Sequence, residues 1–223
     1  MNMKIKRIAL IGLGAMGVFF APRLYEAFGD DFYIIAGGER KKRLESKGVT
    51  INGVNYRFPI VTPEEQGEPA DLFLIGVKGY GFVQAIEDIR HQVGEHTLIL
   101  SLLNGVDSEE QLIQAFGEEH VLYAYMRMSI VMKDGKADFD PYWGKIHFGE
   151  EKNDVLSDRV LAVKEVFDHA DIPYEIDPDT GMLTQEFRTK VDSDYPKMLA
   201  IYPDEKHYLT VNNTSNDIVS YTI

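Results

Sequence analysis

Three glycines spaced as Gly-x-Gly-x-x-Gly lie near the start of this chain, and they constrain its fold more than any other sequence feature. They follow a short apolar run at 6–11 and precede a segment, 15–28, whose apolar residues recur with helical spacing. A strand, a tight turn and a helix in this order form the loop that holds the diphosphate of a dinucleotide. The residues of the predicted loop are Gly12, Leu13, Gly14, Ala15, Met16 and Gly17.

Each glycine of this loop has its own physical task. Gly12 permits the tight turn, Gly14 lets a phosphate approach the backbone without a Cβ in the way, and Gly17 allows the helix to pack closely on the strand. The N-terminus of the helix adds free N–H groups and a positive potential. Two alternatives are a glycine turn that binds nothing and, because the first 20 residues are basic and apolar, a targeting peptide.

Apolar runs and helical segments alternate along the first three quarters of the chain. Nearly unbroken apolar runs at 72–77 and 97–103 are typical of strands that are covered on both faces. We therefore predict an α/β fold with a Rossmann-type doubly wound, mostly parallel sheet over residues 1–177. The other predicted strands are 32–36, 121–132, 146–148 and 173–176, and the other predicted helices are 39–47, 82–89 and 155–170.

A hairpin is predicted at the edge of this domain. Asn52-Gly53 lies between the short runs 50–51 and 54–58, and this dipeptide suits the positive φ angles of a type I′ turn. Gly48 is in turn well placed to end the helix at 39–47.

A further helix is predicted to start at Ser108, because Gln111 three residues later completes a capping-box pattern. Glu109 and Glu110 then lie where the helix dipole favours acidic residues. We interpret both glutamates as structural.

Beyond Pro178 the composition changes, and Asp, Thr, Asn, Tyr and Pro become prominent. No helical pattern is sustained there. We predict that 178–223 is a short, atypical C-terminal segment in place of a helical domain, such as a truncated or divergent substrate domain.

Charge and composition exclude several classes of function. The chain has 36 acidic and 23 basic residues, and its formal charge of −13 repels nucleic acid and anionic membrane surfaces. It contains no cysteine, so no disulfide or thiolate metal site is expected, and the six histidines show no metal-ligand spacing. We expect a cytoplasmic protein with no metal and no nucleic-acid or membrane partner.

The segment after the second predicted strand bears on the choice between NAD and NADP. An NAD site usually has an acidic residue there to bind the ribose 2′-hydroxyl, but this chain has Gly37 and Gly38. Arg40 follows, in a basic stretch, and can bind a 2′-phosphate. Glu39 is an acidic residue in the same stretch and would favour NAD instead. Most of the basic residues are explained by the solvated face of a helix. We predict NADP(H) as the cofactor, with Arg40 in contact.

Two polar residues, Lys78 and Asn104, each follow a buried apolar strand. Ligands of open parallel sheets bind outside the carboxyl ends of strands, so both side chains are expected to face the cofactor crevice. The alternatives are a solvated lysine and an ordinary Asn-Gly turn.

Several segments together resemble the ketopantoate reductase family. The match spans about residues 4–177, and the lysine after the strand and the Asn-Gly-Val segment make it more specific than the glycines alone. The matching segments are KRIALIGLGAMG at 6–17, VKGY at 77–80, SLLNGV at 101–106, EQL at 110–112 and IHFGE at 146–150.

The resemblance implies hydride transfer from NADPH to a 2-keto acid, most simply 2-dehydropantoate on the route to pantothenate and coenzyme A. It places Lys78 and Asn104 at the nicotinamide end of the crevice. It also implies a catalytic lysine at the start of a C-terminal helical domain. The nearest candidate here is Lys190, although Asp194 stands where the family has asparagine.

Three hypotheses follow from the sequence. The first is an NADPH-dependent 2-keto acid reductase whose active site a partner subunit could complete. The second is a non-catalytic NADP-binding protein that has lost the helical domain, and the third is a piece or relic of a longer protein. A helix that directs Lys190 into the crevice favours the enzyme, and an extended tail packed away from it favours the second hypothesis. A sheet face left uncovered would favour a homodimer.

Overall fold

The computed structural model describes residues 3–103, 107–128 and 130–176, and it describes the backbone of 184–190, 199–201, 207–212 and 217–222. The strands of the first three ranges are β1 (Ile8–Ile11), β2 (Phe32–Ile35), β3 (Val49–Ile51), β4 (Val54–Tyr56), β5 (Ile60–Val61), β6 (Ala70–Ile75), β7 (Val93–Ser101), β8 (Val121–Arg127), β9 (Met132–Lys133), β10 (Lys136–Ala137), β11 (Lys145–Gly149) and β12 (Tyr174–Glu175). The α-helices are α1 (Gly17–Phe28), α2 (Gly38–Lys47), α3 (Phe82–Ile89), α4 (Ser108–Phe116) and α5 (Asp158–His169).

Eight strands form the main sheet, in the order β12-β11-β8-β7-β6-β1-β2-β5. The run from β5 to β8 is parallel throughout, and only the β8–β11 pair is antiparallel. The fold is therefore a mixed α/β structure with a mostly parallel central sheet, which confirms the predicted class. Because Ile11, Ile75 and Ser101 lie in register, the segments that follow β1, β6 and β7 leave the sheet side by side.

The two faces of the sheet are buried in two separate cores. Ile8 and Leu10 of β1 join the core that contains α1 and α5, whereas Ala9 and Ile11 join the core that contains α3 and α4. This alternation follows from the two-residue period of a strand. Since helices cover both faces of the described sheet, the expectation of a homodimer gains no support from an uncovered sheet face.

A second, four-stranded sheet has the order β4-β3-β10-β9. The predicted hairpin is confirmed, because β3 and β4 are antiparallel and Asn52 and Gly53 have φ angles of 47° and 80°. Strand β10 adds to β3 in parallel, with Lys136 opposite Thr50. The Asn52 side chain accepts a hydrogen bond of 2.9 Å from the Phe139 N–H.

The single strand predicted at 121–132 was wrong. Its first part, β8, stays in the main sheet beside β7 and β11, but Met132 pairs with Ala137 of β10 in the second sheet. The chain therefore changes sheet between Arg127 and Met132. An apolar run records that residues are buried, but not which sheet buries them.

The capping box predicted at Ser108 was also wrong. Asp107 precedes the first helical residue and makes no side-chain capping bond, and Ser108 itself lies inside α4. The Ser108 hydroxyl instead donates to a carboxylate oxygen of Glu109, at 2.8 Å.

The described residues of the tail are extended. Strands β13 (Thr184–Lys190), β14 (Leu199–Ile201), β15 (His207–Asn212) and β16 (Asp217–Thr222) form an antiparallel sheet in the order β13-β16-β15-β14. Within the described ranges, no helix is long and apolar enough to cross a membrane.

Candidate functional site

The glycine loop connects β1 to α1 at the carboxyl edge of the main sheet. Gly12 has a φ of +101°, and a Cβ there would lie 2.5 Å from the carbonyl carbon and oxygen of Gly76. A Cβ on Gly17 would lie 2.1 Å from the Gly12 oxygen. Both distances are far inside van der Waals contact, so the loop can close on β1 and on Gly76 only with glycine at these two positions.

Gly14 differs from the other two glycines. A Cβ there would meet one heavy atom within 4 Å, the Gly76 oxygen at an ordinary 3.7 Å. The protein itself therefore has room for a side chain at this position. The reason for glycine at residue 14 has to be sought outside the chain, in a ligand that approaches the backbone.

The first turn of α1 is free of the groups that usually satisfy or neutralise a helix N-terminus. Met16 precedes the helix without a side-chain capping bond, and the first turn contains no acidic residue. Ala15 and Met16 are partly exposed, whereas the Leu13 side chain is buried in the core. Helix N-terminal N–H groups and the positive end of the helix dipole are therefore available to an anion.

Gly76 packs against the glycine loop, and it was not identified from the sequence. Its N–H donates to the Ile11 oxygen at 2.8 Å, directly before the glycine loop. A Cβ on Gly76 would come within 3.0 Å of the Gly12 oxygen and 3.2 Å of the Gly17 nitrogen. The available signal is that Gly76 interrupts the end of the apolar run predicted as the strand 72–77.

Lys78 lies at the same edge, in the segment that follows β6. Its backbone is extended, its oxygen accepts a hydrogen bond from the Gly81 N–H at 2.8 Å, and its side chain is exposed. Asn104, the other residue predicted to face the crevice, lies outside the described residues. The neighbouring Leu103 is partly buried, and its N–H donates to the Ser101 hydroxyl oxygen at 3.3 Å.

Arg40 lies in the first turn of α2, close to the segment that contains Lys78. The pKa of its guanidinium is lowered, first by partial shielding from water and then by repulsion from Arg43, while attraction to Tyr80 and Asp88 opposes the shift. Tyr80 belongs to the segment after β6, and its side chain is 87% exposed. The positive charge of Arg40 therefore lies beside the predicted cofactor edge.

The competing residue, Glu39, already has a partner. Its carboxylate accepts from Lys42 at 2.7 Å, and Lys41 is likewise paired with Glu45 at 2.8 Å. Neither pair involves Arg40. The two lysines therefore pair along the helix surface, whereas Arg40 interacts electrostatically with Tyr80 after β6 and with Asp88 of α3.

Lys190 is the last residue of β13 and pairs through its backbone with Asp217. Asp194, the other tail residue weighed above, lies outside the described residues. The family resemblance implies a helix around such a lysine, whereas Lys190 lies at the end of a strand. A catalytic role for Lys190 stays a prediction.

Glu109 is the second feature that sequence reasoning missed, because a glutamate in a first helical turn is usually exposed. Here only 8% of Glu109 is exposed, whereas Glu110 beside it is exposed. Burial raises the pKa of the Glu109 carboxyl to about 7, although hydrogen bonds from Ser108 and from backbone groups of Glu109 and Ala124 oppose the shift. The carboxyl lies at the start of α4, next to the end of β7.

Comparison with known proteins agrees with this architecture. The model of the family described as ketopantoate reductase PanE/ApbA matches residues 8–153. A Bacillus subtilis relative named uncharacterized oxidoreductase YkpB is 26% identical over 166 residues, which cover 72% of this chain and 54% of the relative. The chain thus spans about half the length of that curated relative.

Solved structures show the same fold. The 2-dehydropantoate 2-reductase from Geobacter metallireducens superposes with a TM-score of 0.63 at 24% identity, over 77% of this chain and 58% of that one. A D-mandelate dehydrogenase solved with NADH and anilino(oxo)acetate superposes with a TM-score of 0.64 at 22% identity, over 78% of this chain and 57% of that one.

Proposed function

The chain belongs to the ketopantoate reductase PanE/ApbA family of oxidoreductases, and from that premise we propose that it binds NADPH and reduces a 2-keto acid, most simply 2-dehydropantoate to pantoate. The observation that carries the proposal is the glycine loop. Gly12 and Gly17 are required by the protein's own packing, whereas Gly14 is open to a ligand. The uncapped start of α1 beside it can bind a diphosphate.

The residues of the described edge fit a dinucleotide. N–H groups of 14–17 would bind the diphosphate, and Arg40 would bind a 2′-phosphate through charge-assisted hydrogen bonds. Lys78, with its exposed ammonium after β6, would line the nicotinamide end together with Asn104. NADPH supplies the hydride when it is bound.

The remaining task of the protein is to orient the ketone and to provide a proton or a positive charge as the carbonyl oxygen becomes an alkoxide. A lysine ammonium suits this task, and we assign it to Lys190 on the family pattern alone. The division into a cofactor domain at 1–177 and a C-terminal segment at 178–223, a cytoplasmic location and a possible homodimer are further parts of this proposal.

The decisive experiment is a fluorescence titration of the protein with NADPH and with NADH, followed by addition of 2-dehydropantoate. We expect tighter binding of NADPH and a fall in absorbance at 340 nm when the keto acid is added. Binding without oxidation would support a non-catalytic NADP-binding protein instead. A chain that binds neither cofactor would overturn the proposal.

The role of Lys190 is tested by Lys190→Met in the same assay. We expect cofactor affinity to stay unchanged while the rate of oxidation falls by roughly 100-fold or more, the usual contribution of a positioned proton donor. Lys133→Met, an exposed lysine of the second sheet, is the matched control. An unchanged rate would remove Lys190 from the mechanism.

A further inference from the structure

Three buried polar side chains connect the end of β7 to the start of α4. Ser101 is fully buried, and Ser108 and Glu109 are 6% and 8% exposed. Ser101 is the last residue of its strand, and Ser108 and Glu109 are the first two residues of the helix. The cluster therefore lies where β7 ends and α4 begins, at the predicted cofactor edge.

The hydrogen bonds of this cluster run in one direction. The Leu103 N–H donates to the Ser101 oxygen at 3.3 Å, the Ser101 hydroxyl donates to Ser108 at 2.8 Å, and the Ser108 hydroxyl donates to Glu109 Oε2 at 2.8 Å. The Glu109 carboxyl is thus the final acceptor. Aligned hydrogen bonds in a buried site polarise and strengthen one another.

Burying an ionisable carboxyl at this position lowers the stability of the folded protein. Burial is the largest influence on its pKa, and the nearby charge of Asp107 disfavours ionisation further. What opposes burial is a set of hydrogen bonds from Ser108 and from backbone groups on α4 and β8. Tyr123 of β8 also interacts with this carboxyl, because its own pKa is raised by burial and by the charges of Glu151, Glu118, Glu109 and Glu110. An apolar side chain would fill the same space without this cost, which indicates a role beyond packing.

We propose that Glu109 is a positioning residue whose carboxyl, acting through Ser108 and Ser101, holds residues 102–103, the segment directly after β7, in place at the edge where the cofactor would bind. The role rests on the proposed function, because it concerns the edge where NADPH would bind. Glu109 itself is buried and acts through the serines. The carboxylate is the stronger acceptor, so its ionisation tightens the whole row of hydrogen bonds.

The experiment compares Glu109→Ala, Glu109→Gln and the matched control Glu110→Ala in NADPH titrations from pH 6 to 8.5. We expect Glu109→Ala to weaken binding roughly tenfold, the effect of losing a charge-assisted hydrogen bond, and Glu110→Ala to leave it within about twofold. Glu109→Gln keeps an acceptor for Ser108, so it restores most of the affinity. Ser108→Ala serves as a second test if Glu109→Ala does not fold.

The pH dependence separates positioning from charge repulsion. The ratio of the wild-type Kd to the Glu109→Gln Kd cancels the ionisation of the cofactor itself. It is expected to fall as the pH rises through about 7, since ionised Glu109 holds the segment better. A ratio that rises would mean that the charge simply repels the anionic cofactor, and a flat ratio would mean that Glu109 only fills space. Either result would overturn the proposal.

Amide hydrogen exchange of Leu103 in the free protein gives a reading that needs no cofactor. Glu109→Ala should lower the protection of this amide at pH 7.5, and Glu110→Ala should not. If the wild-type protein bound neither NADPH nor NADH, the proposed function would fail, and this exchange would still decide whether Glu109 holds the segment. Equal protection in both variants would refute the positioning role.

Discussion

Two helices that pack on the main sheet begin at the same edge of that sheet, and their first turns are built in opposite ways. The start of α1 has no capping side chain and no acidic residue, and it follows a glycine loop that is closed by Gly76. The start of α4 contains two glutamates, and one of them is buried and hydrogen-bonded. The positive end of α4 is thus occupied by an acid of the chain itself, whereas that of α1 is left for an anion from outside.

The comparison is tested most strongly at Gly17, whose hydrogen faces the Gly12 oxygen. In Gly17→Ala the added Cβ would lie 2.1 Å from that oxygen, so β1 and α1 must separate. We expect a loss of roughly 3 kcal/mol or more in the free energy of unfolding, the range of severe overpacking in a core. Urea unfolding followed by circular dichroism measures it. A stable Gly17→Ala protein would show that the loop is not closed as described.

Gly14→Ala tests whether the start of α1 is reserved for a ligand. Its Cβ would lie 3.7 Å from the nearest heavy atom, so we expect urea unfolding close to that of the wild type. Cofactor affinity should nevertheless fall by about 100-fold, or about 2.7 kcal/mol, because the methyl group meets the diphosphate. Fluorescence titration measures this loss. An unchanged affinity would place the anion elsewhere, and α1 and α4 would no longer differ in function.

Glu109→Gln tests the acid that occupies the start of α4. The folded-state pKa of about 7 lies above the ordinary 4.5, so between these values the folded protein binds a proton that the unfolded chain has released. The free energy of unfolding should therefore fall as the pH rises from about 4.5 to 7, by roughly 1 to 3 kcal/mol. In Glu109→Gln this slope should be absent. Urea unfolding at pH 5, 6, 7 and 8 measures it, and equal slopes in both proteins would contradict a buried, titrating Glu109.

Arg40→Ala tests whether α2, and not α1, distinguishes NADPH from NADH. If α1 binds only the diphosphate, discrimination between the two cofactors has to come from another element. We expect NADPH affinity to fall about tenfold, near 1.4 kcal/mol, with NADH affinity unchanged. Lys47→Ala removes the same charge at the far end of α2 and serves as the control. Equal losses for NADPH and NADH would show that Arg40 does not read the 2′-phosphate.

Much of the fold could be predicted from the sequence, because these elements depend on residues that are close together in the chain. The helix predicted at 82–89 is α3 to the residue, and the hairpin turn at Asn52 and Gly53 has the predicted positive φ angles. The glycine loop was also identified, since its spacing and its neighbours carry the signal. In these regions each residue is constrained mainly by residues close to it in the chain.

The errors and omissions involve partners that are distant in sequence. Gly76 is required by the approach of Gly12 and Gly17 across two strands. Glu109 is buried because Ser101 and β8 pack against the start of α4, and the pattern of α4 alone gives no sign of this burial. The break in the strand predicted at 121–132 depends on a pairing with β10 in another sheet. The periodicity of apolar residues along the chain carries no information about any of these contacts.

The parallel pair between β3 and β10 also has a consequence for how the protein folds. Thr50 and Lys136 are partners from opposite halves of the chain, so they can meet only after the intervening β5–β8 region has become compact. Closing so large a loop costs entropy that two short strands repay only in part. We expect the second sheet to be among the last structures to form, and to open before the main sheet when the protein begins to unfold.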